Sequence, residues 1–194
     1  MSTIEVITEP GSGWTWAQRR TLIVTCPAVA LVIASMAALY SALPQVAVAT
    51  GADRTESAWI VDGYTLALAC LVLPAGALGD RYGRRLLLLI GLAVFAVASV
   101  LPLFTAQVEV LIAARALAGV GAALVMPSTL SLITAGFPAG TASRAIGVWA
   151  GFAGSGGLLG LAGAGLLLRW WSWQSVFAGL AIAAALLFAA GFVL

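Results

Sequence analysis

Histidine and lysine do not occur among the 194 residues of this chain, and cysteine occurs twice. Without histidine the sequence lacks the side chain that most often binds metals or moves protons near neutrality. Cys26 and Cys70 both fall inside apolar runs, where a thiol reads as a small core residue, so neither a disulfide framework nor a metal site is expected. Charge is scarce as well: nine arginines and seven acids make up 8% of the chain, against 62% hydrophobic residues and a mean hydropathy of +1.10. No basic stripe is present to neutralise a row of phosphates, which excludes nucleic acid as an expected partner. No catalytic constellation and no cofactor are indicated, so the chain does not read as an enzyme. What is abundant is apolar surface, far more than a water-soluble globule of this size could bury, and the expected solvent is a bilayer.

A spanning helix needs about 20 mostly apolar residues to cross a hydrocarbon core of about 30 Å. Six stretches qualify, approximately Thr21 to Leu43, Ala58 to Leu78, Leu86 to Thr105, Val110 to Ala135, Ala145 to Leu168 and Ser175 to Leu194. The expected loops between them are Gly51 to Glu56, Gly79 to Arg85, Ala106 to Glu109, Phe137 to Arg144 and Arg169 to Trp173, each marked by turn or charged residues. Residues 1 to 18 read as a disordered cytoplasmic tail, and 19 to 194 as one transmembrane bundle. A signal peptide is excluded as the reading of the first apolar run, which is too long for an h-region and is followed by no soluble domain.

Arginine near span ends is retained in the cytoplasm. With the N-terminus inside, Arg19, Arg20, Arg81, Arg84, Arg85 and Arg144 are cytoplasmic and only Arg54 and Arg169 are outside. That bias puts both ends of the chain in the cytoplasm of a cell membrane. Trp59, Trp170, Trp171 and Trp173 then fall near the outer interface, with Trp14 and Trp16 near the inner one.

Between the second and third spans the sequence runs Leu73-Pro-Ala-Gly-Ala-Leu-Gly-Asp-Arg-Tyr-Gly-Arg-Arg-Leu86. Gly76 and Gly79 permit close packing as a helix ends, and Gly83 supplies a backbone that accepts positive φ in a tight turn. Arg81, Arg84 and Arg85 suit anionic headgroups, and Asp80 suits a helix N-terminus or a nearby arginine, for which Arg144 on the same side is the local candidate. An ordinary positive-inside loop explains the arginines but not Asp80 with three glycines at these offsets. The segment resembles the signature that major facilitator superfamily transporters carry at this place. Arg115-Ala-Leu-Ala-Gly-Val-Gly121 resembles the family's Arg-x-x-x-Gly-x-Gly segment, and Trp59 to Leu66 and Leu39 to Pro44 resemble the second and first spans of the fourteen-span drug:proton antiporters. The resemblance covers the chain from Arg20 onward. It implies an all-α membrane protein, the N-terminal six-helix half of a major facilitator fold.

A charge inside the hydrocarbon costs roughly 2.5 to 3.5 kcal/mol on insertion scales, so each one kept there should face protein or water. Asp62 and Arg115 are the two such residues, each about 8 to 9 Å from the outer end of its span by helical rise. Their similar depth allows a pair, in which Asp62 would load and release a proton and Arg115 would adjust its affinity for it. The structural alternative is a static ion pair that only orders the bundle.

The fifth span is dense in glycine, and Gly156, Gly160 and Ala164 share a face at four-residue spacing, as close helix contact in lipid requires. The run from Gly160 to Gly165 resembles the family's antiporter motif, with Leu161 at the position of its proline and Ala164 at that of a glycine. In the first span, Ser35 stands where fourteen-span antiporters often carry an aspartate. Ser35, Tyr40 and Ser41 are candidates to offer hydrogen bonds to a cavity, or equally to bond their own helix.

The resemblance implies a secondary active transporter, a proton-coupled efflux carrier of hydrophobic and cationic small molecules present here as a half-length chain. Its expected partners are membrane lipid, a small-molecule substrate, the proton, and either a second half of six to eight spans or another copy of itself. The chain ends while still apolar, without a basic flank, and truncation is the simplest reading. The alternatives are a non-transporting membrane module or remnant that associates with a full carrier, or a transporter of a sugar or organic acid.

Overall fold

The computed structural model describes residues 14–194, in which the chain forms six helices: α1 (Trp16–Thr50), α2 (Arg54–Tyr82), α3 (Arg84–Val100), α4 (Val108–Gly136), α5 (Ala139–Trp170) and α6 (Gln174–Gly191). A 3-10 turn, Leu101–Leu103, extends α3, and all six elements are long and apolar enough to cross a membrane. The connections are shorter than the sequence reading expected because polar residues near the ends are helix caps. Asp53 accepts from the Glu56 amide and Glu56 accepts from the Asp53 amide, both at 2.8 Å, so Arg54, Thr55 and Glu56 form the first turn of α2. Thr15 and Gln18 make the same reciprocal cap at the start of α1. The expected tail at residues 1–13 lies outside the described residues, but Trp16, Ala17 and Gln18 are helical rather than tail. Likewise α5 begins at Ala139 and runs to Trp170, which takes in most of the expected loop from Phe137 to Arg144 and the first two residues of the one from Arg169 to Trp173.

The sharpest correction falls on the loop from Gly79 to Arg85. α2 continues through it to Tyr82, α3 begins at Arg84, and the break is Gly83 alone, at φ 100° and ψ 128°. This backbone is open only to glycine, although there is nothing within 4 Å of where a Cβ would stand. Gly83→Val is therefore expected to lose about 1–3 kcal/mol through the backbone alone. Gly79→Ala, on helical backbone with open space around it, should gain up to about 1 kcal/mol. Thermal unfolding of the two variants in detergent checks the opposite signs. Gly76 and Gly79 are not close-packing positions within this chain: a Cβ on Gly76 would meet Pro127 at an ordinary 3.8 Å, and one on Gly79 would meet nothing within 4 Å.

Close packing is placed elsewhere. α1 lies against α5, where a Cβ on Gly156 would stand 2.7 Å from the Ala30 carbonyl oxygen and one on Gly160 would stand 2.7 Å from Ala34 Cα. Ala164 completes this face and is buried. Gly165 does not belong to it, having no neighbour within 4 Å of its Cβ position, because one further residue turns the helix about 100° away. Gly119 and Gly121 of α4 are two residues and so about 200° apart, and they serve two different neighbours. A Cβ on Gly119 would collide with the Tyr64 carbonyl of α2, and one on Gly121 would stand 2.7 Å from the Gly91 carbonyl oxygen of α3. That is how α4 is held between α2 and α3. α1 and α4 are the most buried helices, and α2 and α5 leave most of their surface uncovered. Trp173, expected at an interface, is instead packed inside edge-to-face on Phe177 with ring centroids 5.8 Å apart.

Candidate functional site

Where α1, α2 and α4 meet, Arg115 is buried at 3% exposure. Its guanidinium lies over the Tyr64 ring at 4.3 Å, Nη1 donates to Ser35 Oγ at 3.0 Å, and Nε donates to the Ile60 carbonyl at 3.4 Å. Tyr64 in turn donates its hydroxyl to the Val32 carbonyl at 2.8 Å, which fixes the ring that the cation faces. Three helices thus share one charge. A cation so buried is costly unless its donors are satisfied, and here a hydroxyl, a carbonyl and an aromatic face take the place of a carboxylate. Among the described residues the one side-chain ion pair is Arg84 with Asp80, so Arg115 is without an acidic partner.

Asp62 is not brought to Arg115. It is exposed, and with Tyr40, Asp53, Arg54, Ser57 and Val61 it lines a groove of about 470 Å³ between the adjoining ends of α1 and α2. The reason is periodicity. Ile60 and Tyr64, four apart on α2, both face Arg115, and Asp62 between them is turned about 200° from each. Equal depth permitted a pair that azimuth forbids. The three polar residues of the first span also separate: Ser35 is buried and bonds Arg115, Tyr40 is exposed and lines the groove with Asp62, and Ser41 joins neither. Tyr64 and the Ile60 carbonyl are the members of the site that sequence reasoning did not assign. Ile60 and Tyr64 share a face at four-residue spacing, but nothing in the sequence says that this face meets Arg115.

At the Gly83 end, Asp80 pairs with Arg84 across the break at 3.2 Å, within hydrogen-bonding reach. Arg84 also donates to the Ser131 carbonyl of α4 at 2.9 Å, and Arg85 donates to the Phe192 carbonyl just beyond α6 at 2.6 Å. The two arginines after the break therefore reach two different helices, Arg84 a carbonyl in the last two turns of α4 and Arg85 one just past the end of α6. Arg144 is not the partner of Asp80. It lies over the Trp14 ring at 5.3 Å, and Trp14 packs edge-to-face on Phe137, which ties the start of α5 to the start of α1. Arg81 lies over its neighbour Tyr82 at 5.5 Å. Among the described residues no group of three or more acids or cysteines is placed to hold a metal.

Comparison with known proteins finds a family model described as Major Facilitator Superfamily that matches residues 25–194. The multidrug efflux pump LfrA of Mycolicibacterium smegmatis is 47% identical over 150 residues, covering 77% of this chain and 30% of that protein. The methyl viologen resistance protein SmvA of Salmonella typhimurium is 41% identical over 140 residues, 72% of this chain and 28% of that one. The matched part thus spans less than a third of either relative. Among solved structures, the proton:xylose symporter XylE superposes with a TM-score of 0.75 at 16% identity, over 91% of this chain and 44% of that one, a likeness of fold.

Proposed function

Because the chain belongs to the major facilitator superfamily, we propose that it is the N-terminal six-helix part of a proton-coupled efflux carrier for hydrophobic and cationic small molecules. The observation that carries this reading is Arg115, a charge kept inside the span region at a cost that an inert bundle has no reason to bear. The names of the relatives support the substrate class, since one is a multidrug efflux pump and the other confers resistance to methyl viologen, an aromatic dication. The share of those relatives that the chain matches, and the uncovered surfaces of α2 and α5, support a second half or a second copy as partner. Nothing in this reading requires enzymatic chemistry. The arginine bias supports an orientation with the Gly83 end and both termini in the cytoplasm of the cell membrane.

In this reading the two polar sites divide the work. Arg115 presents a fixed cation inside the bundle, and Asp62, at similar depth but open to the groove, exchanges the proton. The Gly83 break, with Asp80 and Arg84 bridged across it, is the element that rearranges as the halves rock. The test is dye efflux driven by a pH gradient in cells that express the chain with a second half from its own locus. Asp62→Asn is expected to reduce gradient-driven efflux to the level of cells lacking the carrier while leaving membrane accumulation unchanged. Full activity of that variant would remove Asp62 from coupling. If the wild-type chain transports neither alone nor with the second half, the module without transport activity becomes the better reading.

A further inference from the structure

At the end of the bundle that carries Gly83, the first turns of α1 and the residues at and just beyond the end of α6 flank a groove of about 210 Å³. Ile23 and Val24 of α1 and Ala190, Val193 and Leu194 at the α6 end form its walls, with Arg20 one turn and Trp16 two turns nearer the start of α1. A second groove of about 290 Å³ shares Trp16 and Ile23 and is completed by Trp14 and Arg19. Trp16 and Ile23 are 74% and 64% exposed, so they stand as an apolar ridge between two troughs, each with an arginine. One of those arginines is poorly satisfied. Arg20 Nε is buried and has no hydrogen-bond partner among the described residues, while its guanidinium carbon sits 5.7 Å from the Trp16 ring. A buried donor of this kind calls for an acceptor. A third cation is close by, since Arg85 is bonded to the carbonyl of Phe192, the residue before Val193.

Two apolar troughs side by side under two arginines fit an amphiphile with one anionic head and two chains. We propose that this face binds an anionic diacyl phospholipid, its phosphodiester on Arg19 and Arg20 and its acyl chains in the troughs on either side of the Trp16–Ile23 ridge. In the orientation proposed above, this is the leaflet whose anionic lipids attract basic residues close to span ends. The inference rests on the chain being embedded in a membrane and not on its transporting anything, so it stands or falls separately from efflux. The competing occupant is the chain's own residues 1–13, which include Glu5 and Glu9.

Native mass spectrometry of the purified 194-residue chain in detergent, with phosphatidylglycerol and phosphatidylcholine of identical acyl chains, tests this. The wild type is expected to retain phosphatidylglycerol preferentially. Arg19→Gln and Arg20→Gln should each lower that retention roughly fivefold. Val193→Trp, which fills a trough while leaving every charge, should lower it too. Arg169→Gln, which removes an arginine also lying over a tryptophan but at the opposite end, should leave it unchanged. Equal retention of the two lipids, or retention unaffected by Arg19→Gln and Val193→Trp, overturns the proposal even if Arg20→Gln fails to fold. So does competition by millimolar inorganic phosphate, which would make this a phosphate site. A severalfold rise on deletion of residues 1–13 would show the tail to be the occupant and overturn it as well.

Discussion

Gly160→Val is expected to prevent accumulation of the folded chain, while Gly163→Val, three residues along the same helix, is expected to be tolerated. At Gly160 the obstacle to any Cβ is backbone: Ala34 of α1, whose Cα would lie 2.7 Å away and whose carbonyl oxygen would lie closer still. Neither side can rotate aside, so α1 and α5 must separate along the largest helix contact in the bundle. Overpacking a core with a side chain that can yield costs about 1–3 kcal/mol, and a clash between backbones should exceed that range. At Gly163 there is nothing within 4 Å of the added carbon. Fluorescence-detected size exclusion of tagged variants gives the comparison directly. Equal monodisperse peaks for the two would mean that the α1–α5 contact is not set by Gly160.

Arg115→Met is expected to abolish efflux in the reconstituted two-part carrier while leaving thermal stability unchanged or raised. Taking a charge out of water costs several kcal/mol, and an apolar side chain of similar length removes that cost without emptying the space. The groups left behind have recourse: Ser35 can turn its hydroxyl to its own helix, and the Ile60 carbonyl lies inside α2. Ser35→Asp sharpens the comparison. It should be accepted when Arg115 is present, 3.0 Å from the present hydroxyl contact, and be destabilising in the Arg115→Met background, where the carboxylate is buried alone. A large loss of stability in Arg115→Met would identify the arginine as a structural tie between three helices. Retained efflux would remove it from the transport site.

The residues show how far local reading reaches. Asp53 and Glu56 form a capping box whose signature is plain in the sequence, yet their charge marked them as loop. The same bias toward treating polar residues as loop hid the continuation of α2 through Asp80 and Arg81 to Tyr82. Gly83 was legible, since a glycine between two apolar runs is the cheapest place to break a helix. The glycines of α5 were only partly legible. Four-residue spacing selected Gly156, Gly160 and Ala164 correctly, but the motif-like position of Gly165 faces away from the contact.

Six apolar runs, the break at Gly83, the family and an arginine buried within a span follow from the sequence alone, because hydrophobic length, glycine and charge act over neighbouring residues. What Arg115 touches does not. Its partner Ser35 lies 80 residues away, and the meeting depends on how α1, α2 and α4 are rotated about their axes. Those rotations are set by backbone fits such as Gly119 on Tyr64 and Gly121 on Gly91, which exist only once the helices are packed. The same rotations turn Asp62 outward to the groove with Tyr40, so two charges at one depth in the sequence became two separate sites in the bundle.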